Sequence, residues 1–339
     1  MTVGGLFPIF VRQGKSATRF KVGYIDSRGN TVIDPIFDQG TRFYEGLAAV
    51  EIRGRWGVIN IDGGFAINPK PWSRCRFSEG RASISVNGKW GIVDRDGSFV
   101  VEPRYHYLES FREGLAVFRT GDGHAARYGF VDRDGVEVIP AVFHDARGFS
   151  QNLAATRVGS LWGYIAPSGV FRITPRFDGA GRGRRWPDVR AGYFVNDLAP
   201  VWIAQDRYRF IDTSGHCALE GDFEDANSFC EGRAAVMINR QYGFIDTQGR
   251  IAVNCRFNLV RDFSEGLARV EEKGAPTESC PLSGFVDREG QMVIDPVFSR
   301  VHAFRDGLSL VTTKDLIGYI NRLGEFVWQG QYVEYGTVA

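Results

Sequence analysis

The sequence has little of what usually announces catalysis, a membrane or a disulfide framework. Its 339 residues hold five cysteines, Cys75, Cys217, Cys230, Cys255 and Cys280. The number is odd and no C-x-x-C occurs, which argues against a disulfide scaffold or a zinc knuckle and makes a reducing cytoplasm the expected setting. Charge of one sign is also missing: 41 Lys and Arg oppose 40 Asp and Glu, a net +1. Such a balance gives no overall attraction to nucleic acid or anionic lipid, so nucleic acid is disfavoured as a partner and no membrane association is expected. No apolar run reaches the roughly 20 residues of a membrane-spanning helix. The N-terminal "MTVGGLFPIFVRQGK" lacks a basic run before its short apolar stretch and reads poorly as a signal peptide.

What the sequence has instead is one phrase written nine times. A glycine preceded mostly by an aromatic recurs at Gly23, Gly57, Gly91, Gly129, Gly163, Gly243, Gly284 and Gly318, with Arg209 in its place once. Successive spacings are 34, 34, 38, 34, 46, 34, 41 and 34 residues, a period of 34 with three insertions. Each unit opens with a "GLAxV" phrase such as Gly46 to Val50, whose alternation predicts a half-buried strand. A second strand follows, as in "WGIVD" from Trp90 to Asp94, and then a turn such as "DRDG", where Asp can accept backbone amides and Gly tolerates positive φ. The third, for example "TVIDPIF" from Thr31 to Phe37, carries a proline that marks a strand end or sheet edge. No segment has a helical period. The chain therefore reads as all-β: a tandem array of nine units of ~34 residues, each of about three short antiparallel strands. The units start near residues 5, 46, 80, 114, 152, 197, 232, 266 and 307, with loop insertions near 12–22, 119–127, 179–193 and 271–283.

The aromatics Trp56, Trp90, Tyr128, Trp162, Tyr208 and Tyr242 share one place in the phrase and are expected to stack between units, supplying burial that no unit achieves alone. The glycine beside each is expected to admit a neighbouring backbone. Arg209 and Ser283 break the pattern and predict locally looser or specialised units. With "GKWGIVDRDGSFVVEPRY" and "FSEGLARV" on the page, the sequence resembles the WG, or KWG, repeat family of bacterial proteins over essentially its whole length. That resemblance implies a β-rich repeat array without an assigned biochemical role. Local departures are Gly221, Cys255 and Gly330 in place of proline, Pro71 in place of the aromatic, and Ala166 in place of Asp. Because 34 residues is short for a four-stranded propeller blade and nine exceeds the usual four to eight, an open, curved, solenoid-like array is the expectation, a closed β-propeller-like ring the alternative.

Chemical motifs are weak. "GKSAT" at Gly14 lacks the glycine and the helix of a phosphate-binding loop. His106, His124, His144, His216 and His302 fall in different units without zinc-like spacing, so no metal is expected. The recurring Asp26, Asp94, Asp132, Asp212, Asp246 and Asp287 precede turn glycines and read as turn formers. Glu45, Glu79, Glu113, Glu231 and Glu265 recur too regularly for a catalytic pair, which needs one asymmetric environment. No nucleophile with a plausible base can be named, so neither an enzyme nor a cofactor is expected. The exception to blandness is "GAGRGRRWPDVR", where Arg182, Arg184, Arg185 and Arg190 surround Trp186. Arginine and tryptophan dominate interface hot spots, and these five are the candidate binding residues. The reading is a non-enzymatic scaffold holding a protein or peptide partner, acidic in character, through a concave face and inserted loops. The alternatives are an immunity or antitoxin protein inhibiting a partner enzyme, and recognition of a phosphate or nucleic-acid ligand by the Arg-rich loop.

Overall fold

A computed structural model describes residues 5–12, 20–178, 192–204, 207–272 and 282–331. Its described residues divide into two compact units, one within residues 5–148 and the other within 149–331. Both are built of small antiparallel sheets whose strands follow chain order. The one helical element among the described residues is a single 3-10 turn, Gly123–Ala125, in the predicted insertion near 119–127. No helix among them is long and apolar enough to cross a membrane.

The repeating sheet has four strands, not three. In the first unit one sheet runs Gln39–Gly40, Leu47–Ile52, Arg55–Asn60, Phe65–Lys70 in order. Two further four-stranded sheets follow, and a three-stranded one (Phe7–Arg12, Phe20–Ile25, Thr31–Phe37) precedes. In the second unit the sheets at 225–257, 259–298 and 300–331 also have four strands. The extra strand lies between the "PxF" aromatic and the "EGL" phrase, and in most sheets it is two residues long, too short to show alternation. Four-stranded sheets are the form of propeller blades, so the propeller-like alternative fits these units and the three-stranded repeat of an open solenoid does not.

Strand alternation explains how each sheet is buried on both faces. Along one strand, Leu47 and Ala49 join Val58 and Ile67 in a core shared with Ile84 and Val93 of the following sheet. Ala48 and Val50 point the other way, with Ile59, into a core shared with Tyr24, Ile33 and Phe37 of the preceding one. The period of two thus sends successive residues into different cores. The second unit repeats the scheme, as where Ala235, Phe244 and Val253 pack against Phe263, Ala268 and Val286.

The aromatics predicted to stack between units are only partly the ones that do. Trp162, Tyr208 and Tyr242 are buried, but Trp56, Trp90 and Tyr128 are half-buried. The deeper rings follow the glycine: Tyr24, Phe130, Tyr164, Phe210, Phe244, Phe285 and Tyr319 are at most 1% exposed. Several meet the linker aromatic of the next repeat edge-on or tilted, as in Tyr24–Phe43 at 5.0 Å, Phe244–Phe263 at 4.7 Å and Phe285–Phe304 at 4.8 Å between centroids. Two of the tyrosine hydroxyls reach the next linker: Tyr24 Oη donates to the Thr41 carbonyl and Tyr164 Oη to that of Gly192, both at 2.9 Å. Where Pro71 replaces the usual aromatic, Trp72 fills the core instead, its Nε1 donating to the Trp56 carbonyl at 2.6 Å.

The recurring glycine admits a backbone, as the sequence suggested. A Cβ at these positions would lie between 2.4 Å (Gly243 and Gly284) and 2.9 Å (Gly57) from a carbonyl oxygen of the next strand. The approach is close because that strand bulges: Val22 pairs with Phe37 and Tyr24 with Ile33, so two steps on the middle strand span four on its neighbour. The proline sits inside the bulge, where its missing N–H leaves no ladder bond unmade. Arg209 fits where glycine should be because its sheet is reduced to two strands, Ala199–Ala204 and Arg207–Ile211, with only isolated bridges to Cys217 and Phe223 beyond. This is the specialised unit that the break predicted. At Ser283, the other break, the side chain is fully buried and donates to Glu271 at 3.3 Å.

Gly163→Ala puts a methyl group 2.5 Å from the Ile173 carbonyl oxygen and 2.7 Å from the Pro175 nitrogen. Overpacking against backbone of this kind costs about 1–3 kcal/mol. Urea unfolding should show it as a lower midpoint with an unchanged slope, and a loss under about 0.5 kcal/mol, the usual range of inconsequential changes, overturns the close-approach account.

Candidate functional site

The five residues singled out for binding, Arg182, Arg184, Arg185, Trp186 and Arg190, lie outside the described residues, as does most of their loop. Its described C-terminal flank is firmly held in the second unit. Phe194 is fully buried against Tyr164, the Gly192 carbonyl accepts Tyr164 Oη, and the Tyr193 carbonyl accepts Ser228 Oγ at 3.0 Å. The strand Phe171–Phe177 ends just before the loop.

The recurring acids find structural work, and the geometry shows what it is. Asp26 Oδ1 accepts the amides of Arg28 at 2.8 Å and Asn30 at 2.9 Å, closing the turn that ends in Gly29. Hydrogen bonding, above all from the Asn30 side chain, holds its carboxyl below the usual range. Asp94, Asp132, Asp212, Asp246 and Asp287 repeat the arrangement, and Asn60 and Asn321 substitute for Asp. Ala166 keeps the backbone turn without a side-chain cap: Gly169 N still donates to its carbonyl at 2.9 Å.

The glutamates of the "EGL" phrase act across the repeat. Each stands with the following residue in a two-residue turn of paired positive φ, such as Glu45 at 52° and Gly46 at 78°. Its carboxylate reaches forward to the amides of the next such turn. Glu45 accepts Glu79 N at 2.5 Å and Gly80 N at 3.0 Å; Glu79 accepts Gly114 N at 2.8 Å. In the second unit Glu231 accepts Glu265 N at 2.7 Å and Gly266 N at 2.9 Å, and Glu265 accepts Gly307 N at 3.0 Å. Gln151 does the same for Asp197 N at 2.9 Å. These bonds join residues mostly 34 or 35 apart and form a carboxylate-to-amide ladder along successive sheets. Arg288 Nη2 adds an ion pair to Glu231 Oε2 at 2.9 Å. The residue before the glutamate makes a parallel rail: Ser78, Ser264 and Cys230 donate to the carbonyls of Phe111, Phe304 and Phe263.

Sequence reading missed a second ladder. Lys70 Nζ donates to the Gly97 carbonyl at 3.0 Å, Arg176 to that of Gly215 at 2.5 Å and Arg256 to that of Gly290 at 3.1 Å, each from the outer strand of one sheet to the turn glycine of the next. Arg104 instead pairs with Glu137 at 3.0 Å. The signal was a basic residue before the aromatic in "PRY", "PRF" and "CRF". Also unforeseen is Glu109, whose carboxyl burial pushes up against the pull of Arg147 and Arg112. Its neighbours are unique to the first unit, so no repeat pattern could reveal it.

Other candidates for chemistry disperse. His106 takes Gly121 N–H on Nδ1 at 3.1 Å and has Lys89 Nζ 2.9 Å from Nε2, while His216 Nδ1 lies 2.8 Å from Ser214 Oγ. Among the described residues no group of three or more His, Cys, Asp or Glu side chains could hold a metal ion. Cys75 is deeply buried, and its thiol is pushed up to about 12 by that burial, which leaves it unreactive. In the two-stranded sheet, Asp222 binds Arg209 and also Arg207 at 2.8 Å; the two guanidinium groups, Arg209 foremost, hold its carboxyl below the usual range.

The ladder has a pH signature. Partial burial pushes the Glu231 carboxyl up, but Arg288 and the amides of Gly266 and Glu265 together outweigh it and hold it below the usual range. A depressed folded value stabilises the fold above the unfolded value, roughly 4.3, and that contribution disappears as pH falls through the lower folded one. Glu231→Gln should therefore cost about 1–2 kcal/mol at pH 7, in line with charge-assisted hydrogen bonds. Thermal melts should show the difference from wild type vanishing at strongly acid pH; a constant difference removes the carboxylate from the account.

The profile of the family described as "WG containing repeat" matches residues 23–56, 56–90, 90–123, 128–162, 208–241, 242–274 and 284–316. No curated protein matches the chain. Among solved structures, the chain is similar to one titled as the eukaryotic initiation factor, with a TM-score of 0.64 at 12% identity, covering 98% of this chain and 96% of that one. It is also similar to BamB from Moraxella catarrhalis (TM-score 0.45, 10% identity, 81% of this chain and 90% of that) and to Hsv2p of Kluyveromyces lactis (TM-score 0.44, 9% identity, 78% and 98%). At such identity the first likeness shows a shared fold and nothing about activity. The seven matched segments cover most of the sequence, and their phase is that of the sheets and of the carboxylate ladder: the chain belongs to the WG containing repeat family.

Proposed function

We propose that this protein is a non-enzymatic scaffold that holds a protein or peptide partner. One observation carries the reading: the polar residues that recur are engaged in turns, caps and ladders, so what distinguishes one part of the chain from another is its insertions. The Arg-rich loop is the most distinctive of these, and Arg182, Arg184, Arg185, Trp186 and Arg190 are the proposed contacts. Arginine forks and an indole ring suit a partner surface bearing carboxylates. The four-stranded sheets within each unit have the form of propeller blades, a form that supports a binding role. The thiols of Cys75, Cys217 and Cys255 are compatible with a reducing, cytoplasmic setting.

The wild-type chain should capture a partner from host lysate that a variant with Arg182, Arg184, Arg185 and Arg190 all changed to Ala does not, mass spectrometry identifying what differs. Equal capture by both moves the contact away from the loop. Capture of nucleic acid in place of protein, weakening steeply with salt, would favour the ligand-recognition alternative.

A further inference from the structure

The carboxylate ladder is interrupted once inside the second unit, and the interruption leaves a receptor for the group the ladder is built from. The turn Glu231–Gly232 has φ values of 51° and 75°, against 54° and 78° at Glu265–Gly266. The two turns therefore aim their amides alike. At Glu265–Gly266 those amides hold both oxygens of the Glu231 carboxylate, at 2.7 and 2.9 Å. At Glu231–Gly232 the equivalent amides meet no acceptor among the described residues.

The sequence explains why. The preceding turn is Asn196–Asp197, with φ of 54° and 60°. Asn196 stands where most of the other turns carry Glu or Gln, Asp306 being the other exception, and its side chain is one methylene shorter than theirs. Asp197 stands where most have Gly, and its own amide is already capped by Gln151. Arg233 Nη1 donates to the Gly232 carbonyl at 3.2 Å and its Nε to the Arg288 carbonyl at 3.4 Å, while the carboxylate of Glu231 is paired with Arg288. Glu231 is exposed and Gly232 partly so, which leaves the amides accessible. Thr247 occupies the place that Arg288 has beside the filled turn, so an incoming carboxylate meets amides without a facing guanidinium, and its binding is weak by itself.

We propose that the Glu231–Gly232 amide pair is a docking point for a carboxylate, an Asp or Glu side chain of the partner entering the ladder where this chain omits its own. The proposal rests on the scaffold reading for its biological use, but the site can be tested without a partner. Successive backbone N–H groups in positive-φ turns form anion-binding concavities, and the chain itself shows the bound geometry one repeat further on.

Acetate is the probe. In amide NMR spectra of the full chain, titration with sodium acetate against sodium chloride at equal ionic strength should move the Glu231 and Gly232 resonances along a saturable curve. Those of Gly80 and Gly266, already capped, should stay still. Asn196→Glu supplies the missing carboxylate in cis and should abolish the response, whereas Asn196→Gly, which suits the positive φ, should retain it. If Gly232 moves no more than Gly80 and Gly266, or responds undiminished in Asn196→Glu, the site is overturned. Neither result bears on whether the Arg-rich loop captures a partner, so the two readings fail separately.

Discussion

Everything in this chain follows from the inability of one short sheet to bury itself. Four strands of two to seven residues expose two faces, and both are apolar. The outcome is visible in single pairs of neighbours: Leu47 and Ala48 are adjacent in sequence yet belong to different cores, one shared with the sheet ahead and one with the sheet behind. Apolar burial is worth about 25 cal/mol per Å², and here each sheet obtains it only from its neighbours. The small residues of "GLAAV" and the fully buried ring after the glycine are two sides of that requirement. Alanine keeps adjacent sheets close, and the ring of Tyr24 or Phe244 crosses the gap to the next linker.

Close packing of that kind constrains the backbone, and the constraint explains residues that carry no side-chain interaction. The outer strand bulges over the middle one, its carbonyl sits where a Cβ would be, and only glycine fits. Proline in the bulge belongs to the same device, since the bulge is where a missing N–H is harmless. Arg209 is the natural experiment. Glycine is lost at this position in the one sheet reduced to two strands, and the long side chain that replaces it turns to Asp222. Glycine and outer strand come and go together.

This separates what could be read in the sequence from what could not. The period, the Asp turns and the role of the glycine were legible because each is a local pattern repeated in phase. The fourth strand was not: Gln39–Gly40 or Asp225–Ala226 is two residues long, and alternation needs more than two to be seen. The aromatic before the glycine was read as the stacking ring, which holds for Trp162, Tyr208 and Tyr242 but not for the half-buried Trp56 and Trp90, and the deeper ring after the glycine was missed. The duty of the glutamates was hidden for a different reason. Glu45 and Gly80 are 35 residues apart, and nothing in either phrase alone says that one caps the other. Recurrence marked them as structural, and only the fold shows that they form a ladder. Of the candidate site, the sequence supplied its composition, and the described structure supplies the anchoring of its C-terminal flank at Phe194.

In a repeat array, departures from the pattern carry more functional information than the pattern itself. Residues that recur are fixed by packing and turn geometry, and a position held by those demands in every unit has no freedom left to recognise anything. The departures here are not evenly spread. Asn196 and Asp197 replace the Glu–Gly turn, Arg209 replaces the glycine, Gly221 replaces the proline, and the outer strand is missing, all within 26 residues that follow the Arg-rich insertion. A unit that gives up its outer strand and its ladder carboxylate loses interactions its neighbours retain. Pro71, Ala166, Cys255 and Gly330 depart singly elsewhere, whereas these four changes fall together beside the basic loop, and that clustering is the support the pattern lends to the proposal that this segment meets a partner.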